Sequence, residues 1–256
     1  MAHKIAVISG KGGVGKTTIS ANLGSTLAHV FDREVTVIDT DVSSSHLGIH
    51  LGFHYNPATI NSVLRGEHDV EESIYEHDTG VNVVAGALNY EKTKDIDVSD
   101  LVDLVEEFER DSDIVLLDCS PGLDRETSAA LQASDEALYV SRPSFTSVID
   151  VVRTQSMVEE LGRESIGVVL NMVKGRKHEI TRSEIEGFTD LEVVGEIPYD
   201  ETLEQSAAQG TPVTVMDPHS KASRAIEDLA VDVIGEDPAK KRDNLYRRMR
   251  RLLPRL

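Results

Sequence analysis

The 256-residue sequence has one cysteine, Cys119, which excludes an intramolecular disulfide, a four-cysteine zinc site and an iron–sulfur cluster ligated within one subunit. No apolar run approaches the roughly 18–20 residues of a membrane-spanning helix, and the first residues lack the apolar core of a secretion signal. Internal repeats and low-complexity linkers are missing, so one large domain is expected over most of the chain. Lysine is scarce: the first 238 residues hold only Lys4, Lys11, Lys16, Lys92, Lys94, Lys174, Lys177 and Lys221. With 39% hydrophobic residues a packed core is affordable, and a reduced, cytosolic protein is expected.

Charge is abundant but unevenly placed. The whole chain carries −19, whereas residues 239–256 (AKKRDNLYRRMRRLLPRL) carry +7, leaving −26 on the preceding 238. A body that acidic repels nucleic acid unless a basic patch is locally concentrated. Dense carboxylates with few lysines also fit a high-salt cytoplasm, so a halophilic, archaeal source is expected.

Short β-branched runs alternate with longer helical patterns. Strands are expected at Ile5–Ser9, Val35–Asp39, Asn82–Ala85, Ile114–Asp118, Ala137–Ser141, Ile166–Asn171 and Glu192–Ile197. Most are continuously apolar, as parallel strands covered on both faces are. Helices are expected at Thr17–Val30, Val98–Glu109, Glu126–Ala133, Ser147–Leu161, Ile180–Gly187, Glu201–Gln209 and Ser220–Ile234. The alternation implies an α/β fold with a doubly wound, mostly parallel sheet flanked by helices. The segment Gly235–Pro238 separates this domain, residues 1–235, from the basic tail, residues 239–256.

The strongest chemical signal is Gly10-Lys11-Gly12-Gly13-Val14-Gly15-Lys16-Thr17, followed by Thr18, between an expected strand and an expected helix. It fits G-x-x-x-x-G-K-[ST]: glycines let backbone N–H groups converge on phosphate oxygens, Lys16 neutralises them, and the Thr17 hydroxyl suits Mg²⁺. Two apolar strands then end in carboxylates, Val37-Ile38-Asp39-Thr40-Asp41 and Val115-Leu116-Leu117-Asp118-Cys119-Ser120-Pro121-Gly122. Carboxyl ends of strands face the ligand crevice in such sheets. Cys119 reads as a small buried residue.

Lys11, a second lysine inside the loop, exceeds what the ordinary phosphate-loop pattern requires. With it, Lys11–Thr18 resembles the deviant Walker A loop of the ParA/MinD ATPase family, a MinD-like resemblance that runs over nearly the whole chain. The resemblance implies ATP and Mg²⁺ as cofactors and an ATP-sandwiched homodimer in which Lys11 crosses to the partner's phosphates. It implies a catalytic set of Lys11, Lys16 and Asp41, and metal contacts through Thr17, Asp118 and Asp41. It places the adenine against Asn171, whose amide offers a donor and an acceptor, and under a loop containing Pro198 and Asp200. Departures exist: Asp118-Cys119-Ser120-Pro121-Gly122 displaces the family's proline, His46 stands where asparagine is common, and Arg142–Ser147 replaces an NPExSS-like segment. Regulators of relatives are therefore not carried over.

In the tail, Leu245, Met249, Leu252, Leu253 and Leu256 share one helical face, and Arg247, Arg250, Arg251 and Arg255 take the others. This amphipathic basic helix is expected to lie in an anionic membrane interface, and resembles the membrane-targeting helix of MinD proteins. His46, His50 and His54 are spaced for one helix face, but Gly48 and Gly52 interrupt it and a metal site there is not expected. Glu106, Glu107 and Glu109 read as a solvated face. The expected function is a slow ATP hydrolase acting as a spatial switch for a division site or polar assembly, cytoplasmic and peripherally membrane-bound with ATP. The rivals are a DNA-partitioning ATPase, disfavoured by the acidic body, and a signalling adaptor with little turnover.

Overall fold

The computed structural model describes residues 2–94 and 96–235 and, of Tyr90, the backbone alone. One sheet contains β1 (His3–Ser9), β2 (Val35–Asp39), β3 (Ile74–Glu76), β4 (Asn82–Val84), β5 (Ile114–Pro121), β6 (Glu136–Ser141), β7 (Glu164–Val173) and β8 (Val193–Pro198). Its order is β3-β4-β2-β5-β1-β6-β7-β8, parallel throughout except for β3 against β4. The continuous apolar runs form interior strands because both their faces are covered: all five residues of β2 and seven of eight in β5 are buried.

The helices are α1 (Lys16–Phe31), α2 (Leu47–His50), α3 (Ile60–Leu64), α4 (Tyr90–Thr93), α5 (Leu101–Phe108), α6 (Arg125–Ala133), α7 (Phe145–Glu160), α8 (Arg182–Thr189), α9 (Glu201–Gln209), α10 (Val213–Met216) and α11 (Lys221–Ile234). One apolar core joins α1, α10 and α11 to one face of the sheet, and a second joins α5, α6, α7 and α8 to the other. In α11 the face Ala222, Ile226, Leu229, Ala230 and Val233 is buried, and each larger side chain contributes about 1.5–3 kcal/mol by leaving water. The helix stops at Gly235, whose φ of 60° is open to glycine at no steric cost and turns its N–H back to the carbonyls of Val231 and Asp232.

The doubly wound, mostly parallel sheet is as expected, with corrections in detail. The seven expected strands are eight; β3 was missed because three residues, Ile-Tyr-Glu, none of them buried, give too short a run for periodicity. The four- and five-residue helices α2, α3, α4 and α10 escape for the same reason. The helix expected from Ile180 begins at Arg182, where the Thr181 hydroxyl and the Glu184 carboxylate close a capping box. Glu109 is not part of a solvated face: it accepts from Lys4 Nζ at 3.0 Å and from the Ala2 N–H at 3.1 Å, tying α5's end to β1. The tail at 239–256, with its proposed membrane-facing Leu245, Met249, Leu252, Leu253 and Leu256, lies outside the described residues.

Topology places the crevice. β1 lies between β5 and β6, where the strand order reverses, and ligands bind beyond the carboxyl ends of strands at such a point. Asp39 and Asp118 are register partners on β2 and β5, so two carboxylates stand side by side at that edge.

Candidate functional site

The phosphate-loop sequence occupies the turn between β1 and α1, as its spacing requires. Gly13 and Gly15 adopt φ of 76° and 89°, the left-handed region that disfavours other residues. A Cβ on Gly15 would stand 2.2 Å from Asn171 Nδ2, and one on Gly10 would meet Asp150 Cβ at 2.5 Å and its carbonyl oxygen at 2.7 Å. The loop is thus wedged between β7 and α7. The first turn of α1 has neither an acidic residue nor a side-chain cap, so its N-terminal N–H groups are suited to an anion.

A cleft of about 550 Å³ opens over this loop, lined by Lys11–Thr18 and, from the other walls, by Asp41, Ser43, Ser44, His46, His50, Ser120, Pro121, Asp124 and Glu126. Lys16 is only 7% exposed, and its Nζ lies 3.1 Å from Asp118 Oδ1, which also accepts from Ser20 Oγ at 2.9 Å. Burial alone would lower the Lys16 pKa, but the neighbouring Asp118 and Asp39 outweigh it and raise it, so the ammonium stays charged.

Asp39 was not among the site residues expected from the sequence, although it shares the Val37–Asp41 motif. Its carboxylate is fully buried and accepts from the N–H groups of Asp41 (3.1 Å), His46 (3.1 Å) and Leu47 (3.0 Å) and from the Ser45 hydroxyl. It therefore fixes both ends of the loop that carries Asp41. Burial and the charge of Asp118 push its pKa up to about 7. Asp41 itself caps the following turn, accepting from the Ser44 N–H at 2.8 Å, while lining the cleft; burial raises its pKa.

Ser20 and Glu126 were also missed, because long-range packing alone brings them to the site, and His50, weighed from the sequence only as a metal ligand, lines the cleft. Glu126 accepts from the Ser43 hydroxyl, linking the Asp41 loop to α6, and burial raises its pKa. His46 and His50 flank α2 and line the cleft, burial lowering the His50 pKa, whereas His54 lies beyond the helix on the surface. Cys119 is fully buried, with its thiol pushed up to about 12 by burial, and is inert. Gly122 donates its N–H to the Ser9 carbonyl at 2.9 Å.

The residues expected at the base converge on a second cavity of about 230 Å³, where Thr18, Asn171, Pro198 and Asp200 meet Met172, Tyr199 and Leu203. Thr18 lines both cavities and joins them. Asn171 is buried; its Nδ2 donates to the Val14 carbonyl at 2.8 Å and its Oδ1 accepts from the Met172 N–H at 2.9 Å. It thus braces the phosphate loop, with a second amide N–H and a second oxygen lone pair left over for a base. Asp200 caps α9 by accepting from the Thr202 N–H at 2.9 Å. Lys11 lines the edge of the cleft, and its Nζ lies 3.2 Å from Thr146 Oγ1 and 3.5 Å from Asp150 Oδ2, both on α7.

A family model described as CobQ/CobB/MinD/ParA nucleotide binding domain matches residues 5–213. An uncharacterised ATP-binding protein of Methanocaldococcus jannaschii is 35% identical over 235 residues, covering 92% of this chain and 89% of that protein. The cell-division ATPase MinD of Pyrococcus furiosus has a similar structure, with a TM-score of 0.88 at 29% identity over 92% of this chain and 99% of that one. The septum site-determining protein MinD of Pyrococcus horikoshii, complexed with Mg-ADP, gives 0.87 at 28% identity over 91% and 96%.

Proposed function

The chain belongs to the CobQ/CobB/MinD/ParA nucleotide-binding-domain family, and from that premise we propose that it is a Mg²⁺-dependent ATPase working as a membrane-directed spatial switch. The observation that carries this reading is the charged, buried Lys16 at the mouth of a glycine loop, facing carboxylates from two neighbouring strands. Loop N–H groups and Lys16 bind the β and γ phosphates. The base occupies the cavity between Asn171, Pro198 and Asp200.

The residues present fit a hard divalent cation. Asp39 and Asp118 stand side by side with one neighbouring cation, Lys16, and burial first and the charge of Asp118 second raise the Asp39 pKa. Thr17, Asp118 and Asp41 would hold Mg²⁺, which when bound neutralises charge developing on the transferred phosphoryl group. Asp41, with one oxygen fixed by the Ser44 N–H, keeps the other to orient the attacking water.

ATP would drive homodimerisation, with Lys11 released from α7 to reach the partner's phosphates. Lys11 is 38% exposed and its contacts are weak surface ones, so release costs little. Dimerisation would pair two basic tails, and since one amphipathic tail binds marginally, two give stable membrane attachment. Hydrolysis restores the monomer. The positioned structure is a division site or polar assembly, a reading supported by the septum-site relatives.

Nucleotide-dependent sedimentation with anionic liposomes tests this, using the full chain and a 1–238 truncation, with DNA as competitor. The full chain should pellet with ATP and not ADP, and the truncation should hydrolyse ATP yet stay in solution. Pelleting that ignores nucleotide and tail overturns the switch.

A further inference from the structure

The loop that carries Asp41 is fastened from beneath at almost every residue. Thr40 donates its N–H and its hydroxyl to the Asp118 carbonyl at 3.0 and 3.1 Å, and the Val42 carbonyl accepts from Asn61 Nδ2 at 2.8 Å. The Asp39 carboxylate takes the Ser45 hydroxyl and the His46 and Leu47 N–H groups, and Ser45 Oγ accepts in turn from the Gly86 N–H at 3.0 Å. The tip, Ser43 and Ser44, is exposed. Ser44 is held within the loop, by Asp41. Ser43 reaches across the cleft instead, its hydroxyl donating to Glu126 Oε1 in the first turn of α6.

Helix α6 does not need Glu126 as a cap. Asp124 fills that place, accepting from the Thr127 N–H at 2.8 Å and from the Ser120 hydroxyl at 2.7 Å. The helix N-terminus favours a carboxylate in its first turn, which accounts for the charge of Glu126 and not for its geometry. Its second oxygen, Oε2, is buried and has no hydrogen-bond partner among the described residues, and Asp41 and Asp124 add like charge nearby. A buried acceptor without a donor, beside two further carboxylates, destabilises the nucleotide-free fold, and such a group calls for a functional explanation. The molecule's other polar concavity, a cationic hollow of about 360 Å³ lined by Lys11, Arg142, Lys174 and Arg176, has no such orphaned atom among the described residues.

We infer that Glu126 is a second carboxylate of the hydrolytic site: Oε1 holds the tip of the Asp41 loop against α6, and Oε2 accepts a hydrogen bond from the water that Asp41 orients. A water has two O–H groups. With one directed at Asp41 and the other at Glu126, its lone pairs are left to face the phosphorus, whereas a single acceptor leaves it free to turn. The water oxygen then bonds to the γ-phosphorus as the bond to the ADP oxygen breaks, and the water's protons leave with the inorganic phosphate. Glu126 keeps none of them. Its clamp on Ser43 sets the distance between the two acceptors, because it ties the loop of one to the helix of the other. The inference rests on the ATPase reading above and adds to it a residue from a different wall of the cleft.

Three variants of the full chain separate the two oxygens. Glu126→Gln keeps the clamp to Ser43 and exchanges the ionised acceptor for a neutral amide; Ser43→Ala removes the clamp alone; Glu126→Ala removes both. Single-turnover hydrolysis at saturating ATP should fall about tenfold in Glu126→Gln and about 10²-fold in Glu126→Ala, with Mg-ADP affinity by calorimetry within about twofold of wild type. Hydrogen exchange supplies a readout apart from activity. In the nucleotide-free protein the amides of residues 40–46 should exchange about threefold faster or more in Ser43→Ala and Glu126→Ala, and at the wild-type rate in Glu126→Gln. The melting temperature of Glu126→Gln should not fall, so that its lost turnover is not lost fold. Wild-type turnover in Glu126→Gln overturns the inference, and so does a loss of Mg-ADP affinity as large as the loss of turnover. Unchanged exchange in both Ser43→Ala and Glu126→Ala overturns the clamp. A wild-type chain that does not hydrolyse ATP overturns the ATPase reading itself.

Discussion

Lys16 and Lys11 stand five residues apart in one loop and meet opposite surroundings. Lys16 is 7% exposed, ion-paired with Asp118, and faces the carboxylate wall of β2 and β5. Lys11 is 38% exposed, hangs from α7, and shares its hollow with Arg142, Lys174 and Arg176. The loop is therefore a seam between an anionic and a cationic region. A whole-body charge of −26 hides this: potential at a site depends on charges within a Debye length, not on the total. The division also separates two tasks. A buried pair is costly to break and suits permanent holding, whereas an exposed contact is cheap to break and suits a residue that moves.

The contrast breaks most severely at Lys16. Lys16→Ala leaves Asp118 and Asp39 without their counter-charge, and denaturant titration should show a loss of about 3–5 kcal/mol together with loss of nucleotide binding by calorimetry. A change under about 1 kcal/mol would contradict the buried pair's structural role. Lys11→Ala should leave stability within about 0.5 kcal/mol and lower kcat on the order of 10³-fold, as loss of a charge supplied in trans does. Normal dimerisation and turnover in that variant would remove the trans role.

Smaller effects sharpen the anionic side. Asp41→Ala should retain ATP binding within a few-fold while kcat falls on the order of 10²-fold, measured by single-turnover hydrolysis. Asp39 has a folded pKa of about 7, above its unfolded value near 3.8, so its contribution to stability is full at low pH and is lost as pH rises towards 7. Melting temperatures of the nucleotide-free protein should carry that falling slope, and Asp39→Asn should flatten it. Ser20→Ala removes one donor to Asp118 and should cost about 1 kcal/mol in the same denaturant assay.

What could be read in advance follows a physical division. The strands of the sheet's interior are long apolar runs, and the phosphate loop is a contiguous motif, so both are written locally. The partners of those residues are not. Asp39 shares the Val37–Asp41 motif, but its rank above Asp41 as the hub of the loop comes from register with Asp118 and from a hydroxyl and two N–H groups six to eight residues on. Glu126 reaches Ser43 across 83 positions, and Asn171 reaches Val14 across 157, distances no spacing rule encodes. The cationic hollow is assembled from the phosphate loop, the turn before α7 and the segment after β7, each unremarkable alone.

Gly10 gives the seam a mechanical meaning. With α7's Asp150 carbonyl where a side chain would begin, the end of β1 and the helix are in direct backbone contact, with no soft side chain between them to absorb displacement. A displacement of the glycine loop by a ligand is therefore passed straight to α7, through a residue with no atoms to spare.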